Sequence, residues 1–374
     1  MSVARFQWGE PPWPRGAAFE LPATSDPTPD VAIIGAGLTG CSTALHLARR
    51  GVRCVVYEAG LVADGASGRT GGLVLEGTAV GILEGVEACV PGLERVVAEE
   101  GIECDLVLPG CWEIEHRKKA PDQMLPWNDG GRPVCIARSV AGGIVQPAAL
   151  TVGLACAAVR AGAIIRENAR VTKITFEPEL KLEIGGERIT PGHVVIATNA
   201  WINATLPDTP PLASSITFAC ATEPLDHATI AAIGLDRGVP FYTSDLPYLW
   251  GRIIGDGRVI FGAGLVFGRP NELEDTDVRE GESLAVLERM KRRVRGLHPR
   301  LAEVGFSAAW GGPIAFADDT IPLMGPHPRH PHVLVSGGYA GHGVALSVRA
   351  GELLALAIAD SRPLPEWGSL ARFK

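Results

Sequence analysis

Paired cysteines and an excess of basic residues are both missing from this chain. Its 374 residues include 8 cysteines, none of them in a CxxC pair, which argues against a disulfide-built scaffold and against a cysteine-based zinc site. Lys and Arg number 34 against 42 Asp and Glu, a formal charge of −8. A protein that binds the nucleic-acid backbone would be expected to carry the opposite sign. We therefore expect neither a bound metal nor a nucleic-acid partner.

Signals for secretion or membrane insertion are also missing. Residues 1–30 are polar and proline-rich where a signal peptide would carry an apolar core. The apolar stretches farther along are broken by charge, as Arg349 and Glu352 break the last one. We expect a cytoplasmic protein without a membrane span. Hydrophobic residues make up 46% of the chain, enough for a sizeable core, and the length suits two domains.

A glycine-rich turn follows the first apolar run. The stretch 31–34 predicts a buried strand, Gly35, Gly37 and Gly40 fit the pattern GxGxxG, and the residues after them repeat at helical spacing. A second buried strand ends at Glu58. This order predicts that a helix N-terminus faces a pyrophosphate and that the Glu58 carboxylate binds ribose hydroxyls.

The sequence motifs indicate less clearly which dinucleotide is bound. Glu58 would repel a 2′-phosphate, which disfavours NADP and leaves FAD and NAD. The loop 64–72 is rich in small residues and carries Arg69. It could bring backbone N–H groups and one cation to an extended anionic cofactor, or it could be a plain flexible loop.

Strand and helix patterns of the same kind return near Pro147 and in the segment that begins at Gly343, whereas the intervening regions show period-two patterns typical of antiparallel sheets. The predicted fold class is therefore α/β, a Rossmann-like nucleotide-binding domain interleaved with a mostly antiparallel α+β substrate domain. The predicted divisions are an N-terminal extension (1–30), the nucleotide-binding domain (31–85, 142–210 and 317–374) and the substrate domain (86–141 and 211–316).

Several motifs in fixed order resemble one known family. They are DVAIIGAGLTG (30–40), GASGRTGG (65–72), VVIATNAW (194–201) and GGYAGHGVALS (337–347). Together they are similar to the D-amino-acid oxidase-like (DAO-type) FAD-dependent oxidoreductases, most of all to members such as gamma-glutamylputrescine oxidase and the glycine and sarcosine oxidases. The resemblance implies FAD as the cofactor. It departs at Thr70, where the look-alike loop has asparagine.

The resemblance also implies which residues hold the cofactor. They are Gly35, Gly37 and Gly40 at the pyrophosphate, Glu58 at the ribose, Val171 at the adenine, Ala66, Ser67, Arg69, Gly71 and Gly72 along the path to the flavin, and Gly338, Tyr339, Gly341, His342 and Gly343 around its pyrimidine end. Some sarcosine-oxidase relatives attach flavin through a cysteine before the closing strand. Residues 310–325 contain no cysteine, so we expect non-covalent FAD.

Catalytic candidates come from both domains. His342 lies where a helix N-terminus would favour negative charge on a reduced flavin, although it could equally cap or brace its loop. The substrate-domain candidates are Tyr242, Tyr248, Trp250, Arg252 and Trp310, with Arg252 able to pair with a carboxylate as a fork. Each of these could instead be a packed strand residue.

The expected reaction is oxidation of the C–N bond of an amine or amino acid by hydride transfer to flavin N5, giving an imine that hydrolyses. Oxygen or another acceptor would reoxidise the flavin. Alternatives of the same type are a D-amino-acid dehydrogenase and a sarcosine or glycine oxidase-like enzyme. An NAD-dependent dehydrogenase and a non-catalytic flavin-binding module are the alternatives of other types.

Two further patterns have simple structural explanations. His327, His330 and His332 stand close together in PHPRHPH, but the surrounding prolines and the lack of cysteine or carboxylate partners favour an exposed turn over a metal site. The basic run Arg289–Arg295 lies on a helical apolar repeat, so we expect its charges to cover the solvent face of a helix.

Overall fold

The computed structural model describes residues 7–14, 28–117, 120, 123–243 and 247–373. The strands of this part of the chain are, in order, β1 Val31–Ile34, β2 Cys54–Tyr57, β3 Leu73–Leu75, β4 Cys111–Glu115, β5 Met124–Asp129, β6 Arg132–Val140, β7 Gly142–Ile144, β8 Ile164–Arg166, β9 Val171–Thr175, β10 Lys181–Ile184, β11 Glu187–Ile189, β12 His193–Ile196, β13 Leu212–Thr222, β14 Phe241–Thr243, β15 Trp250–Ile253, β16 Val259–Phe267, β17 Phe306–Ala317, β18 Leu323–His327 and β19 His330–Gly337.

The helices of the same residues are α1 Leu38–Ala48, α2 Ala66–Arg69, α3 Cys89–Glu100, α4 Pro147–Arg160, α5 Ile202–Thr205, α6 His227–Ala232, α7 Pro270–Glu274, α8 Gly281–Leu297 and α9 Gly343–Asp360. Short 3-10 turns occur at Asn199–Trp201, Pro299–Leu301, Glu366–Gly368 and Leu370–Arg372. The predicted helix starts at Pro147 and Gly343 are confirmed. No helix of the described residues is long and apolar enough to cross a membrane.

A six-stranded sheet in the order β18-β19-β12-β1-β2-β8 forms the first layer. Its strands run parallel except for the β18–β19 hairpin. In β1 all four residues are buried, because its two faces are both covered. Val31 and Ile33 join the core formed with α1, α4 and α9, whereas Ala32 and Ile34 share the opposite core with the three-stranded sheet β11-β10-β9.

An eight-stranded sheet in the order β17-β13-β16-β15-β14-β4-β6-β5 forms the second layer. Its pairings are antiparallel except between β14 and β4. Helix α8 packs on it through Val286, Leu287, Met290, Val294 and Leu297, all buried. The basic run covers a solvent face of α8 only in part. Arg289, Arg292 and Arg295 are exposed as predicted, but Arg293 turns inward and its Nη2 donates to the buried carboxylate of Asp129 at 2.6 Å.

The strands of the two sheets alternate along the chain, which confirms the predicted α/β class with an interleaved antiparallel domain. The segment that begins at residue 86 differs from its predicted division. Helix α3 buries Val90, Leu93 and Val96 in the core of α1 and α9, so its amphipathic face belongs to the first layer. The chain enters the second layer only at β4.

The predicted N-terminal extension contacts both layers through residues 7–14; its residues 1–6 and 15–27 lie outside the described residues. Trp8 is fully buried in the core of the second layer, and its Nε1 donates to the carbonyl of Leu273 at 2.7 Å. The Nε1 of Trp13 donates to the carbonyl of Gly68 at 3.0 Å. These two indoles therefore tie the extension to the folded body.

Candidate active site

A cavity of about 870 Å³ opens between the two layers. Ala197, which follows β12, and Gly37, which follows β1, line one side of it. Strands β4, β14, β16 and β17 supply the other side. Ligands of open parallel sheets bind outside the carboxyl ends of the strands, so the cavity lies where a dinucleotide is expected.

The glycine-rich turn has the close contacts that its motif requires. Gly35 has φ +103°, and a Cβ on Gly40 would lie 1.9 Å from the carbonyl oxygen of Gly35. No larger residue fits there without moving α1. Ser67 lies beside Gly37 and accepts a hydrogen bond from the backbone N–H of Leu38 at 3.0 Å. Leu38 and Thr39 of the first turn of α1 line the cavity, and the N–H groups of a helix N-terminus can bind a phosphate.

Glu58 braces this turn. Its Oε2 accepts from the N–H of Ala36 at 2.8 Å and its Oε1 accepts from the N–H of Gly60 at 2.9 Å, while burial raises the pKa of the carboxyl. Each oxygen retains a second lone pair for a ribose hydroxyl. Val171 begins β9, two residues after Ala169, whose N–H donates to the Glu58 carbonyl at 2.7 Å. Glu58 and Val171 are therefore close neighbours, but neither lines the cavity.

The small-residue loop forms the helical turn α2 and is not a plain loop. Ala66, Ser67, Arg69 and Gly71 line the cavity, whereas Gly72, with φ +73°, is buried beside it. A Cβ on Gly71 would lie 2.1 Å from the ring of Trp250. Gly71 therefore lets the indole approach the backbone of the loop.

The guanidinium of Arg69 differs from the expectation of a cation offered to the cofactor. Its Nε donates to the carbonyl of Asp64 at 3.0 Å and its Nη1 donates to the carbonyl of Gly9 at 2.7 Å. It also lies 5.4 Å from the centre of the Trp8 ring. These contacts direct the positive charge toward the N-terminal segment, so backbone N–H groups remain the main anion donors on this side.

The loop before α9 forms another wall. Gly338 and Gly341 have φ +75° and +87°, and Tyr339, Gly341, His342 and Gly343 line the cavity while Gly338 lies just outside it. The Tyr339 hydroxyl lies 2.7 Å from the hydroxyl of Thr39 and joins this loop to α1.

His342 directly precedes α9, but its side chain makes no capping hydrogen bond with the helix. Its Nδ1 lies 3.4 Å from the carbonyl oxygen of Ala340, and burial lowers the pKa of the imidazole. The ring is therefore neutral near pH 7 and faces Tyr242 across the cavity, with ring centres 6.4 Å apart.

Four of the five substrate-side candidates line the cavity: Tyr242, Tyr248, Trp250 and Trp310. Trp310 is buried and donates from Nε1 to the carbonyl of Arg69 at 2.8 Å, so it forms a fixed wall. Tyr248 is 50% exposed.

Arg252 does not reach the cavity, contrary to the expectation that it forks a substrate carboxylate. The side chain is buried, its Nε donates to the carbonyl of Gly71, and its Nη2 donates to the carbonyl of Val145 at 3.2 Å. Its guanidinium lies 5.6 Å from the centre of the Trp13 ring. Arg252 lies on β15, so these hydrogen bonds link the second sheet to Gly71 of the α2 loop and to Val145 after β7.

Three charged residues of the cavity lining, Glu76, Glu113 and Arg138, were not predicted from the sequence. Glu113 of β4 lies between Tyr242 of β14 and Arg138 of β6 in the strand register. Its Oε2 accepts from the Tyr242 hydroxyl at 3.1 Å and from Arg138 Nε at 2.7 Å. Glu113, Tyr242 and Arg138 come from three different strands. The alternating pattern of β4 in the sequence does not indicate that Glu113 would meet the other two.

A family model described as "FAD dependent oxidoreductase", DAO, matches residues 30–357. The chain belongs to the DAO family of FAD-dependent oxidoreductases. The family resemblance inferred from the motifs is thereby confirmed.

Individual relatives agree with this assignment. The chain is 26% identical to a probable oxidoreductase OrdL of Haemophilus influenzae, over 92% of this chain and 86% of the relative. It is also 26% identical to the gamma-glutamylputrescine oxidoreductase of Escherichia coli, over 88% and 83%. Among solved structures, L-proline dehydrogenase from P. horikoshii superposes with a TM-score of 0.75 at 19% identity, over 93% of this chain and 98% of the other, which supports the fold.

The residues present fit the FAD of this family. Gly37 before α1, where a Cβ would lie 2.7 Å from Ser67 Oγ, borders the same cavity as Gly341 and Gly343 of the loop before α9. Backbone N–H groups on two helix N-termini suit an anionic, extended cofactor. The adenosine end would reach Glu58 and Val171 beyond the cavity.

The histidine-rich hairpin differs from the exposed turn expected of it. His327 is 2% exposed, and its Nε2 lies 3.4 Å from Oδ1 of Asp208, so a carboxylate partner does exist. Side-chain atoms of Asp208, His327 and His330 lie within 4.8 Å of one another. Asp208 also pairs with Arg329, and His332 contacts His193. The sequence could not show Asp208 because it lies 119 residues from His327.

Proposed function

We propose that this protein is an FAD-dependent enzyme that oxidises the C–N bond of a small amine, with the FAD held non-covalently. The family supports the cofactor. The relatives named for gamma-glutamylputrescine and for glycine support an amine or amino acid as the substrate. An amine is favoured over an α-amino acid because Arg252 turns away from the cavity.

Binding of the cofactor would rest mainly on backbone groups. The N-terminus of α1 and Ser67 would hold the pyrophosphate, Glu58 the ribose, and the 341–343 loop the ring end. FAD, when bound, supplies a hydride acceptor for the substrate carbon. The start of α9 places its positive dipole end at the cavity, where it stabilises negative charge.

Non-covalent binding is supported by the cysteines. All eight are free, and none is among the residues that line the cavity. Burial also raises the pKa of most of these thiols, as at Cys220, which reaches about 12. They are therefore poor nucleophiles. Free thiols throughout also support the proposed cytoplasmic location.

The side chains around the cavity would act by positioning. Trp310 is held by its bond to the Arg69 carbonyl, and Trp250 is held beside Gly71, so both give a rigid apolar wall. Such a wall excludes water and orients the C–H bond that reacts. His342 is neutral near pH 7 because of its burial, and it can accept a hydrogen bond from a substrate amine.

The observation that carries the proposal is the single cavity that joins the α1 turn, the 339–343 loop and the aromatic face of the second sheet. Purified protein is expected to show the banded visible spectrum of oxidised flavin, and denaturation is expected to release free FAD. Under anaerobic conditions one amine of a panel should bleach that spectrum. A flavin spectrum that no amine or amino acid bleaches would favour the non-catalytic flavin-binding module.

The acceptor of the electrons is open to the same assay. Readmission of oxygen to the bleached protein would restore the spectrum rapidly and release hydrogen peroxide if the enzyme is an oxidase. Slow recovery in oxygen with fast recovery in an artificial acceptor would identify a dehydrogenase.

A further inference from the structure

Charged side chains around the cavity are mostly engaged in holding the fold. Glu76 accepts from the N–H groups of Cys89 at 2.6 Å and of Val90 at 3.0 Å, so it caps α3. Arg69 donates to two backbone carbonyls. The Glu113–Arg138 pair is left as a source of charge that a ligand can use.

The two members of this pair differ in burial. The side chain of Glu113 is 14% exposed, whereas that of Arg138 is 67% exposed. Water and salt screen the exposed guanidinium far more than the buried carboxylate. The carboxylate is therefore the less screened charge of the pair.

Glu113 has one oxygen to spare. Tyr242 and Arg138 both donate to Oε2, and Oε1 receives no hydrogen bond from the described residues. A carboxylate oxygen accepts two hydrogen bonds. An N–H donor of a ligand at this position would complete the carboxylate, and a positive charge on that donor would strengthen the bond.

We propose that Glu113 is the specificity-determining residue that binds a second, protonated amino group of the substrate, so that the substrate class is a diamine. The proposal rests on the amine oxidation proposed above. The reacting amine must be neutral, but the distant one stays protonated and pairs with Glu113 Oε1. Tyr242 holds the carboxylate in place from the neighbouring strand. A substrate with a carboxylate at the same end would meet repulsion from Glu113.

The test compares primary amines of equal length on the holoenzyme. For each chain of three to six carbons, the α,ω-diamine, the n-alkylamine and the ω-aminoalkanoate are assayed by anaerobic flavin reduction. We expect kcat/KM to favour the diamine. Glu113→Gln should lower kcat/KM for the diamine on the order of tenfold to a hundredfold and leave the alkylamine within about threefold. Glu115→Gln, on the same strand but outside the cavity lining, is the matched control.

A binding measurement separates this inference from the proposed reaction. Butylguanidinium stays protonated at all useful pH values, and its calorimetric affinity for the holoenzyme should fall at least about tenfold in Glu113→Gln but not in Glu115→Gln. If no amine reduces the flavin, the proposed reaction fails while this measurement still decides the role of Glu113.

Two outcomes would overturn the inference. One is equal kcat/KM for the diamine and the alkylamine with no effect of Glu113→Gln on either compound or on butylguanidinium. The other is a preference for the aminoalkanoate that Arg138→Gln abolishes, which would make the exposed guanidinium the recognition group. On our proposal Arg138→Gln keeps the preference for the diamine.

Discussion

Replacement of Arg252 by methionine tests how the two layers are joined at the cavity. Methionine keeps much of the length and the apolar stem of the side chain but removes both donors. The carbonyls of Gly71 and Val145 then lose the Nε and Nη2 hydrogen bonds that they accept in the native protein. Because both residues are buried, water cannot replace these bonds without opening the loop.

Two opposing effects set the size of the change. Each buried carbonyl left without a donor costs about 1–3 kcal/mol, or roughly 2–6 kcal/mol for the two. Burial lowers the pKa of Arg252 to about 10. That shift corresponds to roughly 3 kcal/mol of unfavourable charge burial, which methionine would relieve. Loss of the contact between the guanidinium and the Trp13 ring adds about 1 kcal/mol. We therefore expect a net loss of about 2 kcal/mol in the free energy of unfolding, and weaker retention of FAD because Gly71 lines the cavity.

Urea unfolding of the apoprotein and titration of apoprotein with FAD would measure the two effects. Arg258→Met serves as the control, since Arg258 lies on the same hairpin and pairs with Asp256 near the surface; its unfolding free energy should change by less than about 1 kcal/mol. A variant Arg252→Met that is as stable as the native protein, retains FAD and yet has a raised KM for carboxylate-bearing amines would refute our interpretation. Arg252 would then bind substrate.

Three further predictions follow from single contacts. Glu58→Ala should weaken FAD binding by about 2 kcal/mol, because the ribose and the N–H of Ala36 both lose their acceptor; unchanged FAD affinity in a titration would contradict the assignment. Gly71→Ala should lower FAD affinity by about 1–3 kcal/mol, since its Cβ would lie 2.1 Å from the ring of Trp250, whereas Gly65→Ala, with nothing within 4 Å, should bind FAD normally. Burial lowers the pKa of His46 to about 4, so the unfolded state takes up the proton at a higher pH than the folded state does. The unfolding free energy should therefore fall by about 1.4 kcal/mol per pH unit between about pH 6.5 and about pH 4. His46→Gln should flatten that slope in denaturant titrations, and an unaltered slope would assign it to other groups.

The cofactor side was predictable because its signals are local. Gly35 and Gly40 meet each other across five residues, and the requirement for close packing is visible in their spacing. The helix starts at Leu38 and Gly343 follow from the glycines before them and from apolar periodicity. Patterns of this kind depend on backbone geometry and hardly at all on distant side chains.

The substrate side was predicted less well because the same residue types serve several purposes. Arg252 lies in a region whose period-two pattern predicts antiparallel strands, yet only the position of Gly71, 181 residues away, shows where its donors point. Glu113 could be recognised as a site residue only from its hydrogen bonds with Tyr242, 129 residues away, and with Arg138. Tertiary partners at such separation leave no periodic trace in the sequence.

The contacts of two buried arginines with two N-terminal tryptophans agree with the proposed preference of the cavity for a positive ligand. Arg69 lies against Trp8 and donates to the carbonyl of Gly9, and Arg252 lies against Trp13. Both guanidinium groups thereby anchor the N-terminal segment and the α2 loop, and each of them donates to two backbone carbonyl oxygens. A carboxylate substrate that recruited either of these cations would break buried hydrogen bonds worth about 1–3 kcal/mol each. Arg138 also lines the cavity, but it is already paired with Glu113. On our proposal a cationic substrate pairs with the spare oxygen of Glu113 and breaks none of these bonds, so the contacts that hold Arg69 and Arg252 in the fold would also favour a positive substrate.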